Sequence, residues 1–288
     1  MKVRIMEISK LSKSITPSGT MAISNKARVL REQGKPVIGF GAGEPDFPTP
    51  EYVIKDVQIA AEDPANHKYS AVAGLNVLKD EIVRTSKLYS GIEVGQENIV
   101  VSNGGKHAIL TTFMSLLNPG DEVLIPSPYW TTYPEAVKIS GGNPVIVDTE
   151  FDDDFKINTD QLEALKTNKT KILVWVSPSN PTGVVYTKEE AEKIYNWAFD
   201  NDIWILSDEL YEHLVYEGVT SPSPAQYDKT LKNTIVINGV AKAYSMTGWR
   251  VGWIIANTEV IDMAKKIQSH ATSNVSNLSQ IAAYSALK

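Results

Sequence analysis

The sequence predicts an α/β fold in which a sheet is layered between helices. Short apolar runs rich in β-branched residues recur along the chain, and longer amphipathic runs separate them. Strands that read as nearly unbroken apolar blocks are covered on both faces. Their alternation with helical patterns argues for a layered sheet.

Taken in order, the first 47 residues stand apart. Gly39, Gly41, Gly43, Pro45 and Pro48 cluster near their end. This segment reads as an arm or part of a small domain followed by a linker, with a large domain over 48–288. A helix is expected over 75–89, a strand over 98–102 and a helix over 106–117, which Asn118-Pro119-Gly120 stops. Strands follow at 122–126, 144–148 and 171–177. Thr187, with Glu190 three residues later, has the pattern of a capping box opening a helix over 187–200. Strands at 203–207, 234–238 and 251–256 and a helix over 260–270 complete the alternation.

Composition bounds the function. The 288 residues, 42% of them hydrophobic, suffice for one large domain or one large and one partial domain. A formal net charge of -6 gives no electrostatic case for nucleic acid or an anionic membrane. The absence of cysteine excludes disulfides and thiolate metal sites, and fits a reducing cytoplasm. No metal site is expected. The N-terminus lacks the continuous apolar stretch of a signal peptide, and no apolar run approaches membrane-spanning length.

Open α/β sheets bind ligands beyond the carboxyl ends of their strands, so the residues after each strand carry the chemistry. The first strand is followed by Asn103-Gly104-Gly105-Lys106 and then a helix, a place where free backbone N–H groups can meet an anion. Alone, this is equally a plain turn. Ser127-Pro128-Tyr129-Trp130 offers aromatics that could stack on a planar ring or simply fill the core. Asn180 sits between Pro178 and Pro181 in a rigid turn. Asp208 ends an apolar strand, where a carboxylate is costly unless it binds a cation such as a protonated pyridine nitrogen or caps a helix. Lys242 stands among small apolar residues that favour a neutral, nucleophilic amine, and Arg250 has the planar fork that suits a phosphate. Each signal also fits a bland role. Together they supply what a phosphorylated pyridine aldehyde needs.

At this point a resemblance can be stated. Residues 239–252, with Lys242 followed eight residues on by Arg250, resemble the cofactor-attachment motif of class I/II pyridoxal-phosphate (PLP) aminotransferases. Asn180-Pro181-Thr182-Gly183 and Ser207-Asp208-Glu209-Leu210-Tyr211 occur in the family's order. Ser127-Pro128-Tyr129-Trp130, Gly104-Gly105-Lys106 and the segment from Gly41 to Phe47 are similar to the bacterial aspartate-type branch. The resemblance covers essentially the whole chain. It implies the large domain of a fold-type I PLP transferase, a mostly parallel seven-stranded sheet between helices, with an incomplete small domain. The implied activity is transfer of an amino group, from aspartate to 2-oxoglutarate, in a cytoplasmic homodimer.

The resemblance also implies roles. Lys242 would hold PLP as a Schiff base and carry the substrate Cα proton. Asp208 would pair with the pyridine nitrogen, Asn180 and Tyr211 with the phenolate oxygen, and Trp130 would stack on the ring. Gly105, Lys106 and Arg250 would hold the phosphate, joined by Tyr69 from the neighbouring subunit. Gly43, Trp130 and Asn180 would lie near the substrate, with Ser18, Thr20 and Lys106 on its side-chain side. Two departures stand out. The family's α-carboxylate-clamping arginine falls beyond the equivalent of Lys288. Gly239 stands where many relatives have a phosphate-binding serine. An aromatic or prephenate aminotransferase or a C–S lyase on this fold would share the cofactor residues, and a catalytically impaired fragment is a further alternative.

Overall fold

The computed structural model describes residues 6–41 and 43–288. Seven strands form one sheet: β1 (Ile99–Ser102), β2 (Glu122–Ser127), β3 (Asn143–Asp148), β4 (Thr170–Val176), β5 (Trp204–Asp208), β6 (Thr234–Gly239) and β7 (Gly252–Ile255). Their order is β1-β7-β6-β5-β4-β2-β3. β2 through β6 pair in parallel, and β7 runs antiparallel to both its neighbours, β6 and β1. The mostly parallel sheet expected from the sequence is therefore present, with each strand close to its expected bounds.

The described helices are α1 (Lys10–Ser14), α2 (Gly19–Glu32), α3 (Glu51–Ala60), α4 (Asn76–Ser90), α5 (Gly105–Leu116), α6 (Thr132–Ile139), α7 (Thr159–Leu165), α8 (Lys188–Asp200), α9 (Thr258–Ala271) and α10 (Asn277–Leu287). None is long and apolar enough to cross a membrane. The capping box at α8 forms as its sequence predicts: Thr187 Oγ1 accepts from the Glu190 N–H, and the Glu190 side chain accepts from the Thr187 N–H.

Side-chain alternation explains why the strands are apolar throughout. Ile172, Val174, Leu206, Ile235 and Ile237 face one layer, with Phe113 of α5, Val137 of α6 and Ala264 of α9. Leu173, Trp175 and Ile205 face the other layer, against Leu162 of α7 and Ile194 of α8. Ile99, Val101, Val236 and Ile255 pack on that second side with Val53 of α3, Leu78 and Ile82 of α4 and Ala283 of α10. A period of two thus sends alternate residues into cores on opposite faces of the sheet.

Two buried amides tie the C-terminal helices to the segment before β1. Gln268 Nε2 donates to the Val72 and Val101 carbonyls, both at 2.8 Å. Gln280 Oε1 accepts from the Leu75 N–H at 2.7 Å. By contrast α2 buries none of its residues.

One local expectation changes. Asp208 is the last residue of β5, and no helix follows that it could cap. A turn follows instead, closed by the Glu212 N–H donating to the Glu209 carbonyl at 3.0 Å.

Candidate active site

The parallel strands bring Ser127, Val176 and Asp208 to the same edge of the sheet, and register sets Val176 beside Asp208 and Asp208 beside Ile237. Beyond this edge lies a cavity of about 400 Å³, lined by Gly43, Trp130, Tyr133, Asn180, Asp208, Tyr211 and Lys242 among others. Residues that the sequence marks for the site thus meet in one space, although 199 positions separate Gly43 from Lys242. Thr20, Met21 and Ser24 of α2 line its outer side, with Phe40 and Gly41.

Asp208 is buried and makes no ion pair among the described residues. Tyr133 O–H donates to its Oδ2 at 2.6 Å and the Leu210 N–H to its Oδ1 at 3.3 Å. Burial pushes the Asp208 carboxyl above the usual aspartate range, and these two donors oppose the push. Burial also raises the Tyr133 phenol well above its ordinary value, with the Asp208 charge second, so Tyr133 stays a proton donor. A desolvated carboxylate without a cation is costly, and the cavity gives it room to acquire one.

Tyr133 is not among the residues that the sequence marks for the site. It is the second residue of α6, and its ring meets Trp130 edge to face, with centroids 5.6 Å apart at 89°. Its spacing of three from Trp130 at a helix start is the available signal, since it puts both rings on one side.

Lys242 follows β6 by three residues. Its Nζ donates to the Gly43 carbonyl and lies 5.6 Å from the Tyr211 ring centroid. Half-burial lowers its ammonium below the ordinary lysine range; Glu44 opposes this and Arg250 reinforces it. A lowered lysine supplies more free amine at neutral pH. Asn180 Nδ2 donates to Tyr211 Oη at 3.4 Å. Burial, then the Asp208 charge, raises the Tyr211 phenol, and the Asn180 contact pulls it down.

Beside the cavity, α5 starts at Gly105. Gly104 precedes it with φ +81°, a conformation that favours glycine. A Cβ on Gly104 would lie 2.6 Å from the Arg250 guanidinium. A Cβ on Gly252 would lie 2.7 Å from the Gly105 nitrogen. Gly104 and Gly252 therefore let β7, the start of α5 and Arg250 converge. The Gly105 and Lys106 N–H groups open the helix, where no carbonyl of the preceding turn takes them. With the Arg250 fork, held by an N–H to the Thr247 carbonyl at 2.8 Å, they make a cradle for an anion. At Gly239 a Cβ would meet the Val251 carbonyl at 2.8 Å, so backbone packs closely against the position where the resemblance implies a serine.

Lys106 Nζ lies 5.1 Å from the Trp130 ring centroid, and burial followed by the Arg250 charge lowers its ammonium. Lys106 lines an adjoining pocket of about 470 Å³ with Ser18, Tyr129 and Glu135. Tyr69 lies outside these spaces, with 91% of its surface exposed. Ala42, within the Gly41–Phe47 motif, lies outside the described residues.

Comparisons with known proteins identify the family and the fold. The family model described as aminotransferase class I and II matches residues 35–288. An aspartate aminotransferase of Streptomyces avermitilis is 49% identical over 92% of this chain and 65% of its own length. The Bacillus subtilis aspartate aminotransferase is 44% identical over 98% of this chain and 72% of its own. The solved aspartate aminotransferase of Thermus thermophilus with maleate superposes with a TM-score of 0.95 at 38% identity, covering 99% of this chain and 73% of that one. The chain thus spans about two thirds to three quarters of the length of these relatives.

Proposed function

The chain belongs to the class I and II aminotransferase family, and we propose that it carries the PLP site of an aspartate-type transaminase. The observation that supports this most is Asp208: a buried carboxylate with a phenol donor and no cation paired to it among the described residues, across one cavity from a half-buried lysine amine.

The residues present fit PLP group by group. The cradle of Gly105, Lys106 and Arg250 suits its dianionic phosphate. Asp208 suits its pyridine nitrogen, which it keeps protonated. Asn180 and Tyr211 suit its phenolate oxygen, and the Trp130 ring suits its face. Lys242 suits its aldehyde. When bound, PLP supplies an electron sink for the pair left behind when the substrate Cα–H bond breaks.

The protein's own residues do the rest. Lys242, as free amine, would take the proton from the substrate Cα and return it across the linking nitrogen, at the cofactor's aldehyde-derived carbon, a short shuttle by one flexible side chain. Asp208 stays anionic, with Tyr133 aligning it. Tyr211 and Asn180, in contact with each other, would hold the phenolate side of the cofactor and so help to orient the substrate bond that is broken. Amino acid and 2-oxo acid occupy the same cavity in turn.

Lys106 and Ser18 support an acidic substrate, because a partly desolvated ammonium beside the cavity can take a distal carboxylate through a charge-assisted contact. Aspartate with 2-oxoglutarate is the pair this favours. Residues 1–47 are the arm and part of a small domain on this reading, and 48–288 the large domain. A homodimer is its assembly on this reading, with Tyr69, 91% exposed and outside its own cavity, reaching the phosphate of a second copy. Free amino and 2-oxo acids are cytoplasmic solutes, and the reading puts the protein there.

The test is to incubate the PLP-loaded chain with aspartate and follow conversion of the cofactor to its amine form by absorbance, then restore the original spectrum with 2-oxoglutarate. Reversible interconversion supports a transaminase. Conversion to pyruvate and ammonia from a sulfur-containing amino acid, with no exchange on aspartate, supports the lyase instead.

A further inference from the structure

A second group of acids lies behind Asp208. Ser207 and Glu209 flank it in sequence and point to the opposite side of the sheet. Glu209 is 3% exposed. Its Oε1 accepts from the Ser207 hydroxyl at 2.7 Å and from the Ser223 hydroxyl at 2.5 Å. Its backbone N–H donates to the Ile237 carbonyl at 2.9 Å, extending the β5–β6 ladder past Asp208. Three residues on, Glu212 accepts from Asn238 Nδ2 at 2.7 Å and from Ser90 Oγ of α4 at 2.8 Å. The turn between the two glutamates carries Tyr211.

No lysine, arginine or histidine pairs with Glu209 among the described residues. The charges that bear on it are the acids Glu212 and Asp208. The groups beyond Glu212 are His213, whose Nε2 is 3.5 Å from it, then Tyr89 edge to face with His213, and Tyr244. Ser223 and Ser207 are the remaining polar neighbours, and neither carries charge.

We propose that Glu209 works as a neutral carboxylic acid and is a positioning residue for the cofactor site, letting the turn to Glu212 close with one negative charge and so holding Asp208 and Tyr211 in place. The two serine hydroxyls on Oε1 favour the charged form, but neither supplies the cation that a buried carboxylate would need. A fully desolvated anion beside two further acids would have no compensating cation. Burial, with the Glu212 carboxylate second, pushes the Glu209 carboxyl up to about 8. Above that pH the two glutamates repel across the turn that bears Tyr211. Only this consequence at the ring rests on the PLP reading; the protonation state does not.

Glutamine is the discriminating substitution, because it keeps the accepting oxygen and replaces the O–H donor by an N–H. In the unfolded chain Glu209 ionises in the ordinary carboxylate range. Between that range and about pH 8 the folded protein holds one proton that the unfolded chain has released. Its stability therefore falls as pH rises through this window, by about tenfold in the unfolding constant per pH unit, and levels off above it. Denaturant unfolding of wild type and Glu209→Gln from about pH 5.5 to 9.5 reads this directly. The stability gap in favour of the variant should widen with pH up to about 8 and then stay constant. Parallel curves throughout would overturn the proposal.

If the variant does not fold, the wild type decides: infrared spectra should contain a carboxylic-acid carbonyl band at pH 7 that disappears across about pH 8, and its absence at pH 7 would overturn the proposal. For the positioning role, PLP dissociation constants by absorbance should rise above about pH 8 in wild type and not in Glu209→Gln, while Glu209→Ala should bind PLP poorly at every pH. A common pH dependence in wild type and Glu209→Gln would overturn that role. If wild type takes up no PLP at any pH, the cofactor reading and the positioning role fall together, and the unfolding curves still decide the protonation state.

Discussion

Tyr133 donates its phenolic hydrogen to Asp208 Oδ2 at 2.6 Å, with both side chains buried. The bond joins the start of α6 to the end of β5 across 75 residues of sequence. It aims a carboxylate that lines the cavity and opposes the rise that burial imposes on its proton affinity.

Tyr133→Phe should therefore lower turnover about tenfold to a hundredfold, the range for losing a hydrogen bond to a charged group. The sign of the pH effect follows from the donor's role. Tyr133 lowers the proton affinity of Asp208, so its loss raises it, and the acid limb of the rate profile should move to higher pH. Rate profiles of the two forms over the acid limb check this; an unmoved limb would mean that Tyr133 only packs.

Asp208→Ala removes the anion that keeps the pyridine nitrogen protonated. Turnover should fall by at least ~10², because a preorganised charge is lost at the site of chemistry. Some PLP binding should persist through the phosphate cradle. Apoprotein stability should not fall in proportion, because the desolvated carboxylate is itself costly. Spectral titration and denaturant unfolding measure the two parts.

The anion cradle depends on close backbone approach. Gly252→Ala places a methyl 2.7 Å from the Gly105 nitrogen, and backbone on both sides leaves it no flexible neighbour to displace. The start of α5 must shift, and phosphate and PLP affinity should each drop by roughly tenfold or more, as when charge-assisted hydrogen bonds lose alignment. Equal affinities for wild type and variant would show that the α5 amides are not the anion's partners.

Lys106 separates substrate classes. Lys106→Met keeps the stem over Trp130 and removes the charge. KM for aspartate should rise by about tenfold or more, and KM for an aromatic amino acid should change little. Equal effects on both would place the lysine's role at the cofactor instead.

Every strand is legible in the sequence, because each is a short apolar block between turn residues. Lys242, Asp208, Asn180 and Tyr211 stand out as a set because a parallel sheet brings successive strand ends together. Helices α1, α2, α3, α6, α7 and α10 do not stand out. The short α6 and α7 have little periodicity to read. The C-terminal α10 is held by the Gln280 bond to Leu75 and by α3, where Ser285 meets Asp56 across 229 residues of sequence. Tyr133 is hidden for a related reason. Its one local mark is the spacing of three from Trp130, which says nothing of Asp208 as its partner, whereas the glycines of the cradle are marked by their neighbours.

The most direct measurement is chemical. Reduction of the PLP-loaded protein with borohydride, followed by digestion and peptide mapping, should find one phosphopyridoxyl group, on Lys242. Lys242→Ala should bind PLP without becoming labelled. A label on any other lysine, with Lys242 unmodified, would contradict the account.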